Sequence, residues 1–139
     1  MTQVQTEKAV RTTVRPARVL IVEDNRDAAD SLFRLLSAEG YEARAVYSGC
    51  EAIAAIDQFD ADAALIDLRL LDLNGWEVAR RIRKARGPHR PLLVAMSGQY
   101  TRDSQTVLGH LAGFEHFIAK PYGLDEVLAA LAPITRRRA

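Results

Sequence analysis

Cysteine is almost missing from this sequence of 139 residues: Cys50 stands alone, so no internal disulfide can form and a reducing compartment is expected. No apolar run reaches the roughly 20 residues that a bilayer-spanning helix needs, and the N-terminus lacks the hydrophobic stretch of a signal peptide. These absences predict a cytoplasmic protein with no membrane partner. Charge of one sign is also lacking. With a formal net charge of +1, the overall field gives no pull toward nucleic acid, and only local patches could do so. The three histidines, His89, His110 and His116, have no metal-ligand spacing.

What is present is an ordinary globular composition, 48% hydrophobic and 27% charged, at a length that suits one domain with a real core. Residues 1–16 show no sustained period and close at Pro16. They read as a flexible lead, with an extra strand around Val10–Val14 as the lesser alternative. Residues 17–133 carry the domain, and 134–139 form a basic tail that includes Arg136–Arg138 and is expected to be disordered.

Within the domain, Arg18–Val22 is a continuous β-branched and apolar run, the pattern of a strand covered on both faces. Ala28, Leu32, Leu35 and Leu36 then recur at helical spacing up to Gly40. A strand over 41–46 follows, and Ser48-Gly-Cys-Glu51 has the form of a capping box opening a helix with Ile53, Ile56 and Phe59. Ala63–Asp67 is the third strand. A helix over 75–86, burying Val78, Ile82 and Ala85, ends at Gly87-Pro88. The strand 92–96 runs into Ser97-Gly98, and a weaker helix is expected over 102–112, with Gly109 inside it. A fifth strand, 115–119, ends at Lys120-Pro121. Leu124, Val127, Leu128 and Leu131 mark a last helix that stops at Pro133. Strand and helix thus alternate five times, which calls for an α/β fold: a doubly wound parallel sheet of five strands with helices on both faces.

In such a sheet the carboxyl ends of all strands share one edge, where ligands bind. The first strand delivers Glu23 and Asp24 there, the third Asp67, the fourth Ser97 and the fifth Lys120. Two like charges about 4 Å apart repel by ~4 kcal/mol at an effective dielectric near 20. Three acids so placed call for a cation. A hard divalent ion with oxygen ligands, Mg²⁺ or Mn²⁺, answers that need, and Mg²⁺ also takes phosphate oxygens. Ser97 and Lys120 then suit an arriving phosphoryl group, which an Asp carboxylate can accept as an acyl phosphate.

Val-Leu-Ile-Val-Glu23-Asp24-Asn, Leu-Ile-Asp67-Leu, Asn-Gly75, Met-Ser97-Gly and Lys120-Pro121, in that order and spacing, resemble the receiver domain of bacterial two-component response regulators. The resemblance covers residues 17–133. Asn25-Arg-Asp-Ala-Ala-Asp30 and Gly113-Phe114 are similar to receivers attached to hybrid sensor kinases. The resemblance implies a flavodoxin-like (βα)5 sheet with strand order 2-1-3-4-5. It implies a signalling module rather than an enzyme, in which Asp67 accepts phosphate from a histidine kinase, a histidine phosphotransfer protein or a small acyl phosphate. Glu23, Asp24, Asp67 and the backbone carbonyl of Arg69 would hold the metal. Lys120 would complete the charge clamp, Ser97 and Phe117 would act as switch residues, and the Lys120–Pro121 bond would be cis. Leu71 stands where a proline is frequent, so a less rigid loop is expected after Asp67. Arg69 and Gln99 occupy positions that influence water access to the acyl phosphate. Phe117 lacks a hydroxyl, so its switching contacts are limited to packing.

Taken singly, these residues have plainer readings: Asp67 a loop or cap residue, Glu23 and Asp24 solvated turn acids, Ser97 a turn serine, Phe117 a core aromatic. Trp76 reads as a packing residue and Cys50 as an inert thiol. Arg80, Arg81, Arg83, Lys84, Arg86 and Arg90 read as a solvated helix face, with a docking surface for an acidic partner as the sharper alternative. Past Pro133 only six residues remain, too few for a DNA-binding element. Output is therefore expected through a downstream protein partner without direct nucleic-acid contact, unless the chain is cut from a larger one. Two other functions compete. A haloacid-dehalogenase-type phosphohydrolase uses similar strand-end groups but carries a second acid where Arg69 stands, and a receiver-like scaffold would bind partners without phosphorylation. A flavodoxin-like cofactor binder lacks support, because no Gly-rich phosphate loop follows the first strand. Oligomeric state is not encoded in any of these motifs.

Overall fold

Short apolar runs flanked by turn residues become five parallel strands in the computed structural model, which describes residues 15–98 and 112–138. The strands are β1 Arg18–Val22, β2 Glu42–Val46, β3 Ala63–Asp67, β4 Leu92–Ser97 and β5 His116–Ala119. The described helices are α1 Arg26–Ala38, α2 Gly49–Phe59, α3 Gly75–Arg86 and α4 Leu124–Arg138. The sheet order is β2-β1-β3-β4-β5, so the direction in which strands are added reverses between β1 and β3. The helix expected over 102–112 lies outside the described residues, as do Val10–Val14 and Gln99; Ala112 is helical and buried.

Why the sheet is this dry follows from side-chain alternation, since successive residues of a strand face opposite sides. Leu20, Val22, Ala64, Ile66, Leu93 and Ala95 point to one face, where α2 and α3 cover them with Ala52, Ile56, Val78 and Ile82. Val19, Ile21, Ala63, Leu65, Val94 and Met96 point to the other, under Ala29, Leu32 and Leu36 of α1 and Val127, Leu131 and Ile134 of α4. The helix starts are fixed locally. Asn25, Ser48 and Asn74 each accept a hydrogen bond from a backbone N–H three residues on, at 2.9–3.1 Å. The Ser48 hydroxyl also donates to the Glu51 carboxylate at 3.2 Å, so the two residues of the expected capping box meet side chain to side chain.

Some expectations need correcting. Ala85 and Leu35 were expected on buried faces, but both are exposed, because the buried stripes run through Val78, Ala79 and Ile82 and through Ala29, Leu32 and Leu36. The last helix does not stop at Pro133: α4 continues to Arg138. A mid-helix proline costs ~3 kcal/mol. Burying an isoleucine, as the next turn does with Ile134, returns roughly 1.5–3 kcal/mol, and the Tyr41 hydroxyl meets Thr135 Oγ1 at 2.6 Å. Nor is Arg15 part of a free lead. At the edge opposite the strand ends, buried Asp62 accepts from Arg15 at 3.0 Å, from Arg90 at 2.6 Å and from the Arg18 backbone at 2.8 Å. These bonds pin residue 15 to the start of the sheet.

Ile134→Ala is expected to cost roughly 2–5 kcal/mol in urea unfolding, whereas Leu35→Ala on exposed α1 surface should stay within about 0.5 kcal/mol. Equal losses would show that α4 beyond Pro133 contributes no more than solvent-facing helix.

Candidate functional site

Strand register decides which side chains meet. Val22 pairs with Ile66, Asp67 with Met96 and Ser97 with Ala119. Each residue just past those pairs is tied to the neighbouring strand. Glu23 N–H donates to Val46 O at 3.1 Å, Leu68 N–H to Met96 O at 3.0 Å and Lys120 N–H to Ser97 O at 2.9 Å. Glu23, Asp67, Ser97 and Lys120 therefore emerge on one rim, beside the point where strand order reverses.

There the structure brings Glu23, Asp24 and Asp67 together, with one carboxylate oxygen of each within 4.8 Å of the others. Glu23 and Asp67 are buried and Asp24 is half-buried. The Lys120 ammonium donates to Glu23 Oε1 at 2.8 Å and to Asp67 Oδ2 at 3.1 Å. The other Asp67 oxygen accepts from the Arg69 backbone N–H at 2.9 Å. Burial pushes the Glu23 carboxyl up to about 7; its hydrogen bond with Asp67 adds to the rise and Lys120 opposes it. For Lys120, burial acts to lower the value, but hydrogen bonds to Glu23 and Asp67 outweigh it and the amine is pushed up. An all-oxygen set with two buried carboxylates is the donor chemistry of a hard divalent cation, so the residues present fit such an ion.

The loop after Asp67 closes on itself. Gly75 N–H donates to Leu68 O at 3.0 Å. A Cβ on Gly75 would lie 2.5 Å from the Asp67 carbonyl oxygen, so only glycine lets α3 start this close to the site. Trp76 follows and packs edge-on against Phe114 at 5.5 Å and tilted against Phe117 at 6.1 Å. Phe117 is half-buried in that aromatic group. Ser97 is buried at the end of β4. The Lys120–Pro121 peptide is cis, and so is Arg90–Pro91.

Two residues near the rim were missed in sequence. Tyr122 is half-buried, its hydroxyl pushed up by burial. Asp72 bonds the backbone N–H groups of Gly49 and Cys50, both at 2.9 Å. These partners precede it by more than twenty residues, so no local pattern announces them. The Cys50 thiol hydrogen-bonds Asp72 and is pushed up in consequence, which favours its protonated form. The basic face of α3 is partly consumed by ion pairs. Arg83 meets Glu115, Arg86 meets Asp57 and Asp60, and Arg90 meets Asp60 and Asp62. Among the described residues no helix is long and apolar enough to cross a membrane.

Comparison with known proteins points one way. A family model described as the response regulator receiver domain matches residues 19–132. The response regulator MprA of Mycobacterium sp. (strain KMS) is 36% identical over 124 residues, covering 88% of this chain and 52% of that protein. The transcriptional regulatory protein TcrA of Mycobacterium tuberculosis (strain ATCC 25618 / H37Rv) is 34% identical over 124 residues, covering 89% and 48%. The chain thus spans about half the length of these curated relatives. Among solved structures, a putative response regulator from Chloroflexus aurantiacus J-10-fl superposes with a TM-score of 0.78 at 28% identity, covering 88% of this chain and 100% of that one. A CheY-like receiver domain protein from Methanospirillum hungatei JF-1 gives 0.79 at 26% identity, covering 88% and 96%.

The crowding of acids has a pH signature. Below its ordinary value of 4.5, Glu23 is protonated in both folded and unfolded chains and costs nothing; between 4.5 and about 7 only the folded chain holds the proton. Stability without added metal therefore falls as pH rises through that window and stays reduced above it. Glu23→Gln should flatten this decline and raise the melting temperature at about pH 8 in chelator-treated protein. An unchanged slope would mean that the rim tolerates the charge.

Proposed function

Because this chain belongs to the response regulator receiver domain family, the phosphorylation-switched modules of two-component signalling, we propose that Asp67 is its phosphoacceptor. The donor is a phosphohistidine on a histidine kinase or histidine phosphotransfer protein, or a small acyl phosphate. The observation that carries this is the Lys120 ammonium bridging Glu23 at 2.8 Å and Asp67 at 3.1 Å, beside a third acid. Buried acids bridged by a single amine are poised to exchange that contact for a cation and a phosphoryl group.

Each group has a physical task. An oxygen of Asp67 forms the new O–P bond while the P–N bond to the donor imidazole breaks, the electron pair leaving with the nitrogen. Glu23, Asp24, Asp67 and the Arg69 carbonyl would hold Mg²⁺ or Mn²⁺, which when bound neutralises charge on the phosphoryl oxygens. The Arg69 N–H, already on one Asp67 oxygen, fixes the carboxylate plane and leaves the other oxygen facing Lys120. Lys120 then turns from Asp67 to the incoming phosphoryl oxygens, keeping its bond to Glu23. The Ser97 hydroxyl, buried at the end of β4, donates to a phosphoryl oxygen, and Phe117 repacks behind it. This is a local charge event that biases a packed element with two arrangements.

The unit from Arg15 through the end of α4 does the switching, and its output passes to a protein partner. The relatives' greater length, and the name of one as a transcriptional regulatory protein, belong to those proteins. The phosphohydrolase reading is not favoured: the position two after Asp67 holds exposed Arg69 rather than an acid. The complete Glu–Asp–Asp–Ser–Lys set speaks against a scaffold that ignores phosphate.

Incubation with Mg²⁺ and acetyl phosphate is expected to add a single phosphoryl group by intact mass. Asp67→Asn or excess chelator should abolish it. Modification that survives Asp67→Asn would move the acceptor elsewhere, and multiple turnover of a generic phosphoester would restore the hydrolase.

A further inference from the structure

The loop Leu68–Asn74 carries the Arg69 backbone into the site, and something must hold it in place. Its two ends are closed by short bonds, Arg69 N–H to Asp67 Oδ1 at 2.9 Å and Gly75 N–H to Leu68 O at 3.0 Å. Leu70 and Leu73 pack partly against the core. Leu71, at the crest, is 93% exposed and anchors nothing. The polar tether is Asp72. Its Oδ1 accepts from Gly49 N–H and its Oδ2 from Cys50 N–H, each at 2.9 Å, so both carboxylate oxygens are committed to the first turn of α2. Glycine at 49 lets the loop approach α2 this closely, because a Cβ there would stand 2.9 Å from Leu73 Cβ and Val78 Cγ2. Although solvent-exposed, Asp72 has its carboxyl held well below the usual range by the Gly49 and Cys50 N–H groups, so the tether stays charged at any ordinary pH.

We propose that Asp72 is a positioning residue for the Asp67 site: by clamping the loop to α2 it fixes where the Arg69 backbone sits, and so sets the affinity for the divalent ion. This rests on the proposed function of that rim. A carboxylate suits the task because two acceptor oxygens on one rigid plane grip two adjacent N–H groups, fixing direction as well as distance. The charge also complements the positive end of α2. Groups that orient metal ligands from outside the coordination sphere commonly change metal affinity by 10–100-fold when removed.

Ser48 provides the control, because it caps the same helix through Glu51 N–H at 3.1 Å but lies outside the loop. Asp72→Ala should weaken Mg²⁺ binding, measured by calorimetric titration of the full chain, roughly tenfold. It should also speed amide exchange at residues 69–73 without metal. Asp72→Asn, which keeps one acceptor oxygen, should fall between. Ser48→Ala should lower the melting temperature and leave Mg²⁺ affinity and loop exchange unchanged. Equal Mg²⁺ affinity in Asp72→Ala and wild type, or an equal loss in Ser48→Ala, would overturn the proposal by reducing Asp72 to a helix cap. Failure of the underlying functional reading shows separately, as wild-type protein that takes no phosphoryl group.

Discussion

The ammonium of Lys120 faces two carboxylates at 2.8 and 3.1 Å, and the geometry of the rim depends on that contact. Glu23 and Asp67 are nearly sealed from water, with side-chain exposures of 4% and 7%, so solvent screens neither carboxylate. A buried pair of like charges is costly unless something opposite sits between them. The amine does so from the far strand, and the pairing works only because β1, β3, β4 and β5 are stapled in one register. Lose the register by a single residue and every side chain here turns to the other face.

That dependence explains why the sheet is so apolar. All of β3 and β4 is buried, leaving no solvated face to tolerate slippage. The edge strands are looser: β2 and β5 alternate between exposed and covered positions. The acids and Ser97 of the rim thus come from the strands with the least freedom, while Lys120 reaches in from the edge strand β5. The opposite edge is organised by charge in the reverse sense, one buried aspartate, Asp62, gathering the guanidinium groups of Arg15 and Arg90 together with the Arg18 backbone N–H. Acids outnumber cations where chemistry is proposed, and cations outnumber the buried acid where only architecture is required.

Much of this was legible in the chain itself. Runs such as Val19–Val22 and Ala63–Ile66 admit few readings other than strands covered on both sides, and the helix start at Ser48 follows from capping chemistry over three residues. The converging rim was readable because alternation of strand and helix forces all carboxyl ends to one side. What escaped were contacts between residues far apart in sequence. Arg15 looks like linker until Asp62 is placed beside it. Pro133 reads as a stop until Ile134 finds the core one turn later. Asp72 is an unremarked loop acid until α2 is packed next to it. Ala85 shows the converse failure, a residue small enough to fit either face of its helix, so periodicity could not place it.

Trp76, the single indole in the sequence, has a consequence of another kind. It stands next to the glycine that touches the Asp67 carbonyl, and its ring rests on Phe114 and Phe117. Indole emission is therefore governed by one small neighbourhood, with no second chromophore of its type to blur the signal. The molecule carries its own optical gauge at the junction of acceptor loop and last strand, and the packing there can be followed in real time without attaching a dye.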